Sequence, residues 1–122
     1  MVLVDTSVWV DHLRRGDDAL AHLLEADEVV GHPFIVGELA CGALRNRSRV
    51  LHLLLALPTL AKPNDDEVLA FIDRHRLRGS GLGLIDAHLL ASCLLAGTML
   101  WTRDAKLASA AERLGLAARG RP

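Results

Sequence analysis

Four acidic residues, Asp5, Glu38, Asp86 and Asp104, occupy settings that solvation alone does not explain. Asp5 directly follows the apolar run Val2-Leu3-Val4, and Asp104 follows Met99-Leu100-Trp101 after a short step. If both runs are strands of an open parallel sheet, both carboxylates lie beyond the carboxyl ends of strands, where such sheets bind ligands. Each also has a plainer reading, since an Asp between strand and helix is a good helix cap. Asp86 shares a helical face with Leu89, Leu90 and Cys93. An ionised carboxylate on that face is costly unless it is paired, hydrogen-bonded or metal-bound. A nearby helix N-terminus eases the cost by only about 0.3–1 kcal/mol. A structural salt bridge is the alternative for Asp86. Glu38 sits within the apolar segment 34–44, with the small residues Cys41 and Gly42 one turn on. Its alternative is an ordinary exposed helical glutamate.

The set says more than its members. Two carboxylates about 5 Å apart at an effective dielectric near 20 repel by roughly 3 kcal/mol, and a cluster of four contains several such pairs. A divalent cation removes that penalty. Oxygen-only ligands suit hard ions, magnesium (Mg2+) or manganese (Mn2+), whose remaining positions are commonly filled by water and substrate phosphate. Phosphodiester hydrolysis is the natural chemistry, because the ion activates water and stabilises charge on the phosphate oxygens and the leaving alkoxide. One rival is a phosphatase or phosphotransferase with Asp5 as nucleophile and Asp104 as magnesium ligand, although no partner lysine motif is evident. A second is a non-enzymatic module whose acidic crevice holds an arginine-bearing partner or that serves as a corepressor on DNA.

The elements that must deliver these residues follow from periodicity. Val2–Val4 reads as a buried strand, and Thr6 or Ser7 suits the start of a helix carrying Val8, Trp9 and Leu13 and stopping at Gly16. A second helix spans 17–27, a brief strand holds Val29 and Val30, and Pro33 opens the helix through Glu38. Segment 48–57 is apolar on nearly every side, so burial or a covering partner is expected. Then come a third strand at 59–62, an amphipathic helix at 64–77, a glycine loop at 79–83 and a helix at 84–96 ended by Gly97. A strand at 98–102, a helix at 105–114 and a short final strand near Leu116 complete the chain. Strands alternating with helices predict a three-layer α/β/α fold around a parallel sheet of four to five short strands. Residues 1–122 are expected to form a single domain, without repeat or linker.

Composition narrows the setting. The chain is 51% hydrophobic and 24% charged with a net charge of −1, which fits a globular protein without a charged tail. No apolar run approaches a membrane span and the first residues read as strand rather than signal peptide, so a cytoplasmic location is expected. Cys41 and Cys93, the only cysteines, read as buried reduced thiols. The six histidines are dispersed without zinc-ligand spacing, and His88 lies about 200° around the helix from Asp86. Ser7 lacks a glycine elbow and neither thiol has a cationic setting, so no serine or cysteine nucleophile is expected.

Taken together, Leu3-Val4-Asp5-Thr6-Ser7-Val8-Trp9, Gly37-Glu38-Leu39, Leu84-Ile85-Asp86-Ala87-His88-Leu89-Leu90-Ala91 and Trp101-Thr102-Arg103-Asp104 resemble the PIN-domain nucleases over essentially the whole chain. The likeness is greatest to the VapC-type toxins of bacterial toxin–antitoxin pairs. It implies magnesium- or manganese-dependent RNA cleavage and inhibition by a VapB-type antitoxin covering the acidic site. It makes Asp5, Glu38, Asp86 and Asp104 the catalytic metal ligands, with Asp5 central, and Thr6 and Thr102 hydroxyls that orient ligands or substrate. Leu107 and Ala108 stand where some relatives carry an aromatic residue and a further acid, so no fifth acidic ligand is expected. It further implies structured targets such as transfer RNA or a ribosomal RNA loop. Few aromatics are available to stack single-stranded bases, which agrees with recognition by RNA shape. Arg45, Arg47 and Arg49, or Arg74, Arg76 and Arg78, are candidate phosphate contacts, a solvated surface being the plainer reading. Surplus apolar surface on the second helix and on segment 48–57 predicts a homodimer whose sites are each approached by an antitoxin segment. An arginine from that segment would suit the carboxylates.

Overall fold

A computed structural model describes residues 1–118. The shortest elements carry the architecture. Strand β1 (Val2–Val4) is buried at all three positions. It lies between β2 (Val29–Val30) and β3 (Met99–Trp101), parallel to both. Leu3 pairs with Val30 on one side and Leu100 on the other. A parallel strand covered on both faces must be apolar throughout, which is why these runs do not alternate.

The expectation of four to five strands is corrected to three among the described residues, with one residue pairing at each edge. Gly31 bridges Thr59 beyond β2, and Leu100 bridges Ala117 beyond β3, both parallel. Segments 59–62 and 116–118 thus take the predicted places without forming ladders. Thr59 is held through Gly31, whose N–H donates to Pro58 O and whose O accepts from Leu60 N–H.

Helices α1 (Thr6–Arg15) and α2 (Asp18–Glu25) connect β1 to β2, and α3 (Pro33–Ala40) and α4 (Arg47–Ala56) follow. Helices α5 (Asp65–Arg74) and α6 (Leu84–Ala96) return the chain to β3, and α7 (Ala105–Arg113) leads to Ala117. Local signals set their ends. Asp17 accepts from Leu20 N–H to cap α2, Asn64 and Glu67 form a reciprocal capping box on α5, and Gly97 ends α6 at φ 66°. Helix α6 is buried without interruption from Ala87 to Cys93. Helix α4 is not: Leu54 is buried, while Leu53 and Leu55 are exposed, so the apolar run lies only partly inside this chain. Of the two thiols, Cys93 is buried and its pKa is pushed up to about 12 by burial, which keeps it inert. Cys41 is exposed because α3 ends just before it, correcting the expectation for that residue.

His32, wholly buried beyond β2, joins three segments. Phe34 N–H donates to its Nδ1 at 3.1 Å, so the ring proton belongs on Nε2, which donates to Ser92 Oγ at 3.0 Å. Ser92 in turn donates to Ala61 O. Protonating Nδ1 would set two donors face to face. Burial, then the positive charge of His88 and of Lys62, lower the His32 pKa to about 4. A folded-state pKa below the unfolded value of 6.5 means the unfolded chain takes up the proton first. Stability should therefore fall as pH drops from about 6.5 to about 4, by up to ~3 kcal/mol. Urea midpoints measured across that range for the wild type and for His32→Gln check this, because the variant lacks the histidine's share of the slope. Parallel pH curves for the two proteins would refute it.

Candidate active site at the sheet switch point

The chain steps outward from β1 to β2 to Thr59, then returns to β3 on the other side of β1. The direction of winding therefore reverses between β1 and β3, where open α/β sheets form their ligand crevice. Asp5 and the segment 102–104 emerge side by side at that point, because Asp5 N–H donates to Trp101 O at 2.9 Å and extends the ladder by one rung.

Asp5 occupies the cap position of α1 but makes no side-chain capping bond. Its Oδ2 accepts instead from Thr102 Oγ1 at 2.7 Å and Ser7 Oγ at 3.1 Å. It is buried, at 8% exposure, and among the described residues its Oδ1 has no hydrogen-bond partner. Capping thus fails as the explanation of Asp5. It succeeds in part for Asp104, whose Oδ1 accepts from Leu107 N–H at 3.0 Å at the start of α7. Thr102 ties the two acids together, its hydroxyl donating to Asp5 and accepting from Asp104 N–H at 3.0 Å. Ser7 does the same one residue earlier, accepting from Arg103 N–H at 3.0 Å while donating to Asp5. Since each hydroxyl proton goes to Asp5, the 3.4 Å approach of Ser7 Oγ and Thr102 Oγ1 is a contact rather than a bond.

Asp86 enters from the first turn of α6, half-buried, with Oδ2 near Gly83 N–H at 3.4 Å. Burial raises its carboxyl above the usual range; the Gly83 N–H opposes this, and the negative charges of Asp5 and then Asp104 add to the rise. Those three carboxylates therefore share one electrostatic neighbourhood. The salt-bridge alternative for Asp86 fails, since no cation pairs with it among the described residues. The loop before α6 is folded against α7, with the Lys106 side chain crossing Gly81 so closely that a Cβ there would lie 2.9 Å from Nζ. Glu38 reaches the rim from α3. It is exposed, yet its Oε1 accepts from Thr6 Oγ1 at 2.9 Å, which ties it to the residue after Asp5.

Thr6 links Glu38 to the chain beside Asp5, and Thr102 links Asp5 to Asp104, while Asp86 is joined to the others by field rather than by bond. Among the described residues, no three Asp, Glu, His or Cys side chains lie close enough to enclose an ion as they stand. Ser7 and Arg103 are further parts of this network. Both fall within the quoted motifs, but nothing in their local sequence announces a partner more than 80 residues away. An open groove of about 870 Å3 runs from Thr6 and Glu38 between α1, α3 and α4. Leu13, Leu39 and Val50 line it, with Arg14, Arg45 and Arg49. Arg76 and Arg78 line a separate hollow with Asp73.

The fold and rim define a class, and the family profile described as PIN domain matches residues 2–113. The chain belongs to the PIN-domain family. It is 48% identical to Ribonuclease VapC32 of Mycobacterium tuberculosis, strains CDC 1551 / Oshkosh and H37Rv, over 96% of this chain and 95% of that protein. The crystal structure of PAE2754 from Pyrobaculum aerophilum shares the fold at TM-score 0.63 and 21% identity, over 93% of this chain and 90% of that one. FitAcB from Neisseria gonorrhoeae does so at TM-score 0.62 and 22% identity, over 92% and 94%. No helix among the described residues is long and apolar enough to cross a membrane.

Proposed function

We propose that this single-domain chain is a metal-dependent endoribonuclease, the toxin of a toxin–antitoxin pair acting in the cytoplasm. The observation that carries the reading is the cluster at the switch point: Asp86 feels the negative charges of Asp5 and Asp104, and among the described residues no cation pairs with it. An all-oxygen, multiply negative donor set fits a hard divalent ion such as Mg2+ or Mn2+. Asp5, with one oxygen held by two hydroxyls and the other uncommitted, is the central ligand in this reading; Asp86, Asp104 and Glu38 complete the set. The bound ion would supply Lewis acidity and an activated water for phosphodiester hydrolysis. Thr102 and Thr6 orient the acids they touch. The kinship to Ribonuclease VapC32 supports RNA as the substrate. Arg45 and Arg49, which line the same groove as Glu38, support a role in meeting its phosphates. The lack of stacking aromatics favours structured targets, transfer RNA or ribosomal RNA loops.

The same groove, lined by apolar residues and by three arginines, suits a VapB-type antitoxin segment that ends with an arginine at the carboxylates. Exposed Leu69, Leu94 and Leu95 on α5 and α6, with Leu53 and Leu55 on α4, support a homodimer and toxin–antitoxin hetero-oligomers.

Purified chain incubated with total transfer RNA and ribosomal RNA is expected to cleave in magnesium or manganese. Excess EDTA should abolish cleavage and re-added metal should restore it. Cleavage persisting in EDTA would exclude the metal reading, and trapping of a phosphoaspartate at Asp5 would favour the phosphotransferase alternative.

A further inference from the structure

The guanidinium of Arg103 lies outside the carboxylate cluster and is directed elsewhere. Its Nη2 donates to Asp17 Oδ2 at 2.6 Å and its Nε meets Asp11 Oδ2 at 3.1 Å. Its carbon centre sits 5.8 Å from the Trp101 ring centroid. Asp11 belongs to α1, and Asp17 caps α2 through its other oxygen. Asp17 is itself fastened to α1, its N–H donating to His12 Nδ1 at 3.0 Å. The Arg103 side chain thus grips the α1–α2 corner while its backbone N–H donates to Ser7. On either side of that grip are Thr102, which donates to Asp5, and Asp104.

We propose that Arg103 is a positioning residue: by clamping segment 102–104 to Asp11 and Asp17, it holds Thr102 and Asp104 in register with Asp5. The inference rests on the nuclease reading for its kinetic consequence and on the ion pairs alone for its structural one. A forked, charge-assisted anchor on two carboxylates is stiffer than a single surface pair. Misplacing a catalytic group by an ångström costs about 10^2-fold in rate.

Asp17→Asn separates the clamp from the fold, because asparagine caps a helix as well as aspartate but carries no charge for Arg103. Asp17→Asn, Asp11→Asn, Arg103→Ala and Arg103→Lys are compared for kcat, KM and salt dependence on one cleaved RNA. Hydrogen exchange of the Arg103 and Asp104 amides is measured without metal. The clamp predicts a kcat roughly 5- to 50-fold lower in Asp17→Asn and Arg103→Ala, with KM and salt slope unchanged and partial rescue by Arg103→Lys. It also predicts amide exchange faster by about tenfold in the same variants. A raised KM in Arg103→Ala with a salt slope smaller by about one and normal kcat in Asp17→Asn would make Arg103 a phosphate contact and overturn the proposal. Unchanged exchange in Asp17→Asn would overturn it as well. A wild-type protein that cleaves no RNA would sink the nuclease reading instead, while the exchange result would still decide the clamp.

Discussion

Asp5→Asn should leave a folded protein whose RNA cleavage is lower by about 10^3-fold, equivalent to roughly 4 kcal/mol of transition-state stabilisation. The substitution keeps an oxygen that can accept from Thr102 and Ser7, so the hydroxyl network closing the switch point survives. What it removes is the charge. Asp86 then faces one negative neighbour instead of two, and the melting temperature without metal should hold or rise rather than fall. Initial rates in saturating manganese, beside a thermal melt, test both halves. Full activity in a variant confirmed by mass spectrometry would remove Asp5 from its assigned role. Asp104→Asn is the companion, because it preserves the cap on α7 and so isolates the carboxylate's charge from its structural duty.

Leu3→Ala should be the most damaging single truncation to stability, costing about 3–4 kcal/mol. Leu3 is fully buried on the central strand, with Val30 and Leu100 beside it and helices on the sheet. Backbone neighbours on both sides prevent the strand from shifting inward to fill the void. At this chain length the loss corresponds to a melting temperature lower by roughly 10–20 °C, measurable by circular dichroism. A fall of under about 3 °C would mean that the sheet relaxes far more than its double pairing suggests.

Much of this was legible before coordinates. The limits of α6 match the expected 84–96 because a continuous apolar run ends at a glycine able to adopt the left-handed conformation. Three of the four candidate acids stood out because two follow strands and one stands on an apolar face, while Glu38 was marked only by its place within an apolar segment. What escaped was decided by distance in the chain. Asp5 and Asp104 look alike locally, and only a hydroxyl 97 residues away shows that Asp5 is drawn from capping into the site. The hydrogen-bonded neutral state of His32 likewise depends on Ser92 and Ala61. The edge segments were placed correctly but read as too long, because an apolar run does not show that only one of its residues will pair. Leucines on α4 misled because hydrophobic character does not state what a helix packs against: only Leu54 is fully buried there.

The parallel pairing of β1 with β3 also sets a schedule. Residues 2–4 are synthesised well before their partners at 99–101, and the hydroxyl that grips Asp5 follows it by 97 residues. At about 5–20 residues per second, several seconds pass during which the nascent polypeptide holds Asp5 and Glu38 yet has no assembled centre. On the nuclease reading, a product lacking 99–104 is without the Thr102–Asp5 bond and Asp104, and is expected not to cleave RNA. On that same reading, topology alone therefore keeps incomplete forms of the protein from cleaving RNA.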